Sequence, residues 1–437
     1  MSDLEAWGIA RWYRNAAGER VKVPASTITA VRSVMGAEDR PEPPGLAEDN
    51  PMWFARPGRE LRLGEGPWQL RTEDGGAQRV YGCLPHDLPL GYHALRREAD
   101  GREVTVVVSP GRCELPSQLR IWGWAVQLYA ARSRASWGIG DLADLRRLAR
   151  WARGQGAGML LLNPLHAVIP GVGQQPSPYF PSSRCFRNPI YLRVEEVPGA
   201  ESDEVDLAAL AAEGRTLNLE RRIDRDRVWQ MKLAVLERLW DLFQVAGGDP
   251  AFDRYEAEQG SALLTFAAYC ALAEHHRSPW TAWPTDVRRP DAPAVAGFIR
   301  RHRDRVRFHQ WLQWLTERQL AMAGAEIDLV QDLAIGVDPG GADAWQWQDC
   351  LALDVRVGAP PDELNTAGQD WGLPPFHPWR LRLARYEPYV RTLRAGFRAA
   401  GGLRVDHVMG LFRLFWIPTG ARPGEGTYVR YPWEEML

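Results

Sequence analysis

Three times along the chain an amphipathic stretch runs into a short apolar run that stops at a polar residue. GDLADLRRLARWARGQG, at 140–156, reads as a helix capped near Asp141 and leads to Met159–Leu162 and Asn163. ERQLAMAGAEIDLVQDLAIGV, at 317–337, gives a helix and then a strand ending near Asp332. LRAGFRAAGGLRVDHVMG, at 393–410, gives a helix and then a strand from Leu403 that ends near Asp406. A buried run, WGWAVQLYA at 122–130, precedes the first of these helices. Strand, loop, helix, strand within about 40 residues is the unit of a parallel sheet, whose neighbours need a crossover rather than a tight turn. Long insertions separate the units, at about 163–300 and 336–380. Polar residues at the C-terminal ends of parallel strands, below elaborate loops, are the layout of a TIM-barrel active site. The expected fold is therefore α/β, a TIM-type (β/α) barrel with large loop insertions. A doubly wound sheet would show a glycine-rich first turn, and the sequence has no GxGxxG.

The first 115 residues differ in character. Leu4, Trp7, Ile9 and Trp12, and then Ile28, Val31, Val34 and Met35, predict a short helical region up to about residue 37. Residues 40–50, with three prolines and three acidic residues, read as a linker. From Pro51 to about Leu115, pieces such as QRVYG, YHALRRE and REVTVVVS read as strands of a compact antiparallel, sandwich-like domain. The expected division is thus an extension over 1–115 and a catalytic region over 116–437.

The chain has 437 residues and a formal net charge of -2, so no basic excess argues for nucleic acid or an anionic membrane surface. No run of 18 apolar residues predicts a membrane span, and the acidic start MSDLEAWGIARW is unlike a signal peptide. A cytoplasmic protein is expected. The five cysteines, Cys83, Cys113, Cys185, Cys270 and Cys350, form no CxxC, and the nine histidines form no HExxH. His275-His276 reads as a helix end. The 20 tryptophans are unusual. Trp137, Trp345, Trp347, Trp371 and Trp379 lie in loop-like segments, where an indole either offers a flat face to a sugar ring or pins the loop to the scaffold.

Arg404 and Asp406 are two apart, so on a strand they share a side. A guanidinium beside a carboxylate favours the charged form, which suits a nucleophile. The same pair also reads as a salt bridge that fixes a loop. Asp332 ends another strand, and Asp362 and Glu363 lie in the loop at 358–379.

Taken together, the motifs resemble the amylomaltase family of 4-alpha-glucanotransferases. The matching pieces are SRASWGIGDLADL (133–145), LLLNPLHA (160–167), SPYFPSSRCFRNPIYL (177–192), QDLAIGVDPGGADAW (331–345), GAPPDELNTAGQDWGLPPFHPW (358–379), LRVDHVMGLFRLFWIP (403–418) and GTYVRYPWEEML (426–437). The opening 115 residues resemble, more loosely, an N-terminal extension of the longer bacterial members. The resemblance implies that Asp406 is the nucleophile, that Arg404 orients it, and that Asp332 binds glucose hydroxyls at the cleaved bond. It implies that Tyr179 stacks beneath the ring or hydrogen-bonds near the same subsite. Gln369 and Trp371 would contact the glucan from an arching loop that Asp362 helps to shape. His407 would face away on a regular strand, unless the strand end twists.

The implied reaction is retaining transfer between α-1,4-glucans (maltodextrins, maltose, glucose) through a covalent intermediate, with no cofactor and no metal. The family's acid/base glutamate is expected shortly beyond the motif at Tyr428–Pro432, and its third carboxylate further on. On that expectation about four of eight barrel strands are accounted for, the fold is incomplete at the C-terminus, and this polypeptide alone would be inactive. An α-glucan hydrolase or branching enzyme of the same clan, and a non-catalytic glucan-binding protein, are the rival classes.

Overall fold

The structure, a computed structural model, describes residues 3–38, 43, 50–112, 119–171, 173–202 and 207–436. Most of the predicted linker at 40–50, Cys113 and the boundary expected near 115 lie outside the described residues. Contacts divide the chain into two units. One holds residues 120–348 and 391–407; the other holds 1–119, 349–390 and 408–437.

The first unit is built on a four-stranded parallel sheet. Its strands are Gly123–Val126, Met159–Leu162, Asp328–Leu333 and Gly402–Val405, each paired with the next in sequence. These are the four apolar runs predicted as strands. A closed barrel is not formed by the described residues; the sheet is open, and α/β is the class observed. The first crossover helix, Leu142–Gly154, begins at a capping box: Asp141 accepts from the backbone N–H groups of Ala143 and Asp144, and Asp144 accepts from that of Asp141. Leu142, Leu145 and Ala149 give it a buried stripe.

The second crossover contains the helices Arg225–Val245, Pro250–His276 and Arg303–Gly324. The middle one ends at His276, as expected. Trp240, Phe243, Phe252, Phe308, Trp311 and Trp314 pack as one aromatic cluster among them. One ion-pair network also ties all three. Arg305 donates to both oxygens of Glu274, at 2.6 and 2.8 Å, and to Glu237 at 2.7 Å; His309 Nε2 lies 3.1 Å from Glu274.

The short strand Ser183–Arg187 ends at Arg187, and residues 188–193 beyond it are largely buried without a ladder of their own, so polar groups here need other partners. Side chains supply them. Gln313 accepts from the Arg187 N–H and donates to its carbonyl, at 2.9 and 2.8 Å. Gln319 does the same for Arg193, at 2.9 and 2.9 Å. The Lys232 ammonium donates to the Ile190 and Leu192 carbonyls, both at 2.7 Å. Burial pushes that ammonium down to about 8, with Asp141 opposing the fall. Six helix residues rise about 9 Å, against about 20 Å for six extended ones. The turn at Pro189–Tyr191 shortens the segment so that both glutamines on one helix can hold it.

The second unit contains two sheets. A five-stranded sheet has the order Met52–Ala55, Glu103–Val108, Gly91–Arg97, Arg62–Arg71, Ala77–Cys83. Its first pair is parallel and the rest antiparallel. The expected antiparallel sandwich is not what forms. Trp68, Leu70, Leu95 and Val106 are closed over by loop residues such as Leu84 and Leu88. Behind the Met52–Ala55 edge, Leu381 and Tyr386 from helical segments take the place of a facing sheet. A four-stranded antiparallel sheet joins Gln369–Leu373, Val355–Ala359, Arg413–Pro418 and Thr427–Arg430. Much of the loop expected at 336–380 is thus regular structure, because the alternating Val355 and Val357 are fully buried. The opening residues are only partly helical. Ala25–Met35 is a helix, but Trp12 sits on a hairpin, Trp12–Arg14 with Arg20–Lys22, which turns through Gly18 at φ 79°. No helix among the described residues is long and apolar enough to cross a membrane.

Burial pushes the Glu274 carboxyl up, but His309 and Arg305 more than offset it and hold it at about 2, below its ordinary 4.5. That stabilisation is complete above pH 4.5 and is lost as the pH falls through about 2. Glu274→Gln should therefore lower the thermal midpoint at pH 7, by on the order of 2 kcal/mol of stability. The gap between parent and variant should narrow steadily below pH 4.5. A gap that does not change with pH would show that the charge is not what holds the three helices.

Candidate functional site

The parallel register between the last two strands places Asp332 opposite Arg404 and Leu333 opposite Val405. Register partners on parallel strands project to the same face, so carboxylate and guanidinium meet there. Arg404 Nη1 donates to Asp332 Oδ1 at 2.6 Å, and Nη2 donates to Asp406 Oδ1 at 3.1 Å. The Asp406 N–H continues the sheet by donating to the Leu333 carbonyl at 3.1 Å. Tyr179, from the loop at 177–182, donates its hydroxyl to the other oxygen of Asp332 at 2.7 Å. Four of the residues singled out in the sequence are thereby one hydrogen-bonded group: Tyr179, Asp332, Arg404 and Asp406.

The two carboxylates differ in setting. The Asp332 side chain is 5% exposed and has both oxygens engaged. That of Asp406 is 27% exposed and accepts one hydrogen bond, through Oδ1. Its second oxygen carries no hydrogen bond among the described residues. An oriented carboxylate oxygen free of hydrogen bonds is the better nucleophile toward an electrophilic carbon; a hydrogen bond on each oxygen of Asp332 weakens it as a nucleophile but leaves each oxygen able to accept a further hydroxyl. The hydrogen bond to Asp332 keeps Arg404 protonated, raising it above its ordinary value against a small effect of burial. Burial and then the Asp332 carboxylate push the Tyr179 phenol up to about 12, so it stays a donor at neutral pH.

His407 follows directly. The strand ends at Val405 and His407 takes φ 47°, so the regular alternation that would face it away from Asp406 does not apply. Burial pushes its imidazole below the ordinary value, with Asp406 opposing. Gln369 and Trp371 belong to the other unit, on the strand Gln369–Leu373, where Trp371 Nε1 donates to Gln369 Oε1 at 3.1 Å. Both are half-buried. Asp362 caps its own turn, accepting from the N–H groups of Leu364 and Asn365. Among the five loop tryptophans, Trp137, Trp345 and Trp379 are buried; Trp137 donates to Glu195 and Trp345 to the Val287 carbonyl. These three pin loops. Trp347 and Trp371 keep part of the ring accessible.

Two neighbours of the site carry no signal in sequence spacing. His166 is buried, accepts from the Ala334 N–H at 3.4 Å, and is pushed well below its ordinary value by burial and by Arg187 and Arg184. Arg184 bonds to the carbonyls of Ala334 and Ile335, just past Asp332. Both sit inside segments that the family resemblance covers, which was the one available clue.

Residues 126–437 match the family model described as 4-alpha-glucanotransferase, glycoside hydrolase 77. The 4-alpha-glucanotransferase of Mycobacterium tuberculosis is 47% identical over 383 residues, covering 81% of this chain and 52% of that protein. That of Haemophilus influenzae is 33% identical over 80% of this chain and 55% of its own length. The chain spans about half the length of these relatives. Among solved structures, amylomaltase from Corynebacterium glutamicum superposes with a TM-score of 0.83 at 32% identity, over 99% of this chain and 68% of that one. Amylomaltase from Streptococcus agalactiae in complex with acarbose has a TM-score of 0.62 at 17% identity, over 72% and 65%, a likeness of fold.

The geometry ranks the two bonds of Arg404. Removing it strands a buried carboxylate at Asp332 but only a partly exposed one at Asp406. Double-mutant cycles by chemical denaturation should give a coupling of about 1–3 kcal/mol for R404A with D332N. The coupling for R404A with D406N should stay below about 1 kcal/mol. Equal couplings would contradict the assignment of Asp332 as the structural partner.

Proposed function

Because the chain belongs to the 4-alpha-glucanotransferase family, we propose that the Asp406 site serves retaining transfer of an α-1,4-glucan segment to the 4-hydroxyl of glucose or another α-1,4-glucan. The observation that carries this reading is the contrast within the site. Asp406 is held by one oxygen at a strand end, with the other open, beside a buried Asp332 that is fully engaged.

In this reading the open oxygen of Asp406 attacks the anomeric carbon. The bond from that carbon to the departing sugar oxygen breaks, and its electron pair leaves with the oxygen, which takes a proton from a carboxyl group. A glucosyl ester on Asp406 results. The acceptor 4-hydroxyl then gives its proton to the same group, now a carboxylate, and attacks the anomeric carbon, expelling Asp406. Asp332 is not assigned the acid role, since Arg404 and Tyr179 occupy both its oxygens. It is assigned glucose hydroxyls, which would exchange with or add to those bonds. The acid/base is assigned to a carboxyl group outside this cluster. Arg404 orients the nucleophile, Tyr179 borders the same subsite, and His407 lines it. Trp371 and Gln369 are proposed as glucan contacts, a flat ring beside an amide. The parallel order of the sheet and the polar strand ends support a (β/α) barrel as the framework, with the site at its C-terminal face.

Incubation of the full-length protein with maltotriose should give glucose and a ladder of longer maltodextrins; maltose and glucose alone would mean hydrolysis. Asp406→Asn should reduce transfer by at least about a thousandfold, as expected for loss of a nucleophile. The nucleophile can also be tested without the acid. α-Maltotriosyl fluoride loses fluoride without needing a proton from a carboxyl group, so it should form the ester, trapped by acid quench and mapped by mass spectrometry to the peptide containing Asp406. A label on another residue, or full transfer by D406N, would overturn the reading.

A further inference from the structure

Tyr179 and Asp332 are 153 positions apart, yet their bond is 2.7 Å long. Something must set the loop that carries the one against the strand that carries the other. Tyr179 itself is half-buried, and only its hydroxyl reaches Asp332.

The loop is held immediately after Tyr179, in three directions. Pro181 accepts at its carbonyl from the Asp338 N–H at 2.7 Å. Ser182 donates its N–H to the Ala167 carbonyl at 2.8 Å and accepts from the Asp343 N–H at 3.0 Å. Its Oγ accepts from the Ala342 N–H at 2.9 Å. Arg184 makes the remaining connection. Its N–H donates to Asp343 Oδ2 at 2.8 Å, while Nη1 donates to the carbonyls of Ala334 and Ile335, at 3.2 and 3.0 Å. Those carbonyls belong to the first two residues after the strand Asp328–Leu333. Ser182, Arg184 and Asp343 are all buried.

Of these bonds, those of the Arg184 guanidinium alone run from the strand Ser183–Arg187, which directly follows the Tyr179 loop, to the exit of the Asp332 strand. The others fix the loop to Ala167 or to the turn and helix at 338–346. Both carbonyls are served by one nitrogen, Nη1, whose two hydrogens lie in the guanidinium plane; a lysine ammonium at this position would end one bond sooner and lack that plane. Burial removes the competing water.

We propose that Arg184 is a positioning residue, which sets the Tyr179 hydroxyl against Asp332 by tying the loop of the first to the strand end of the second. It touches neither Asp406 nor, in the reading above, the glucan. It acts through Tyr179. The functional half of this inference rests on the proposed glucan-binding role of Tyr179 and Asp332; the structural half does not.

The test is a cycle of R184K, Y179F and the double variant, read as kcat/KM for transfer from maltotriose. R184K should lose about tenfold, and in the Y179F background it should lose less than about twofold, because the contact it sets is already gone. An equal loss in both backgrounds, the signature of a general structural role, overturns the proposal. So does an unchanged kcat/KM in R184K. Should R184K fail to fold, Asp343→Asn takes its place: it keeps an acceptor for the Arg184 N–H, removes the charge beside the guanidinium, and should show the same non-additivity. A second arm needs no glucan. With 3-fluorotyrosine at position 179, fluorine NMR follows that phenol alone, and R184K should titrate closer to free 3-fluorotyrosine than the equally labelled parent. An identical titration overturns the proposal even if transfer is observed. A shifted one sustains it even if the parent transfers nothing, an outcome that would discard the proposed function instead.

Discussion

Arg404 is where the sheet becomes a site. One guanidinium spans the buried carboxylate of Asp332 and the open one of Asp406, at 2.6 and 3.1 Å. Two anions on neighbouring strand ends would repel, and burying one alone would be costly. A planar cation between them relieves both problems and fixes the distance from the recognising group to the attacking one. Tyr179 completes the arrangement by engaging the last oxygen of Asp332. The chemistry proposed for Asp406 depends on its own second oxygen, which carries no hydrogen bond among the described residues.

Such an arrangement has to be held from behind. The parallel ladder supplies the first support, since Asp332 and Arg404 are register partners and the Asp406 N–H extends the ladder by one bond. The second is irregular. The chain from Tyr179 to Arg193 is largely buried yet has little regular pairing, and side chains satisfy it: Arg184, the paired amides of Gln313 and Gln319, and the Lys232 ammonium. Each buried backbone group so engaged avoids a desolvation cost of about 1–3 kcal/mol. The helices of the second crossover provide Gln313, Gln319 and Lys232. They place Glu274, Arg305 and His309 in a network that stiffens the helix bearing both glutamines.

Where the sequence was read correctly, the signal was local. The four apolar runs became four parallel strands, and Asp141 announced the start of the first crossover helix. Where it was misread, the partner was far away. Trp12 lies on a hairpin, not a helix. The strand pieces between 51 and 108 made one mixed sheet instead of two facing ones, because Leu381 and Tyr386, nearly 300 residues on, cover part of it. Strands at 355–359 and 369–373 were taken for loop, since five-residue runs show too little alternation to stand out. Of the loop tryptophans, Trp137, Trp345 and Trp379 turned inward, a choice decided by what packs against them.

By itself the sequence determined that this is an α/β chain with acidic residues at the ends of parallel strands, and, by resemblance, the family it belongs to. It singled out Asp406 with Arg404 two residues before it, since a period of two places both on one side of a strand. Register is not written in that period. That Arg404 lies opposite Asp332, 72 positions earlier, and that Tyr179 reaches the same carboxylate from a loop 153 positions away, was decided by tertiary structure alone. So was the role of Arg184, whose partners are backbone carbonyls. Any residue presents a carbonyl, so no side-chain pattern could have marked them; only the fold brings them within reach of the guanidinium.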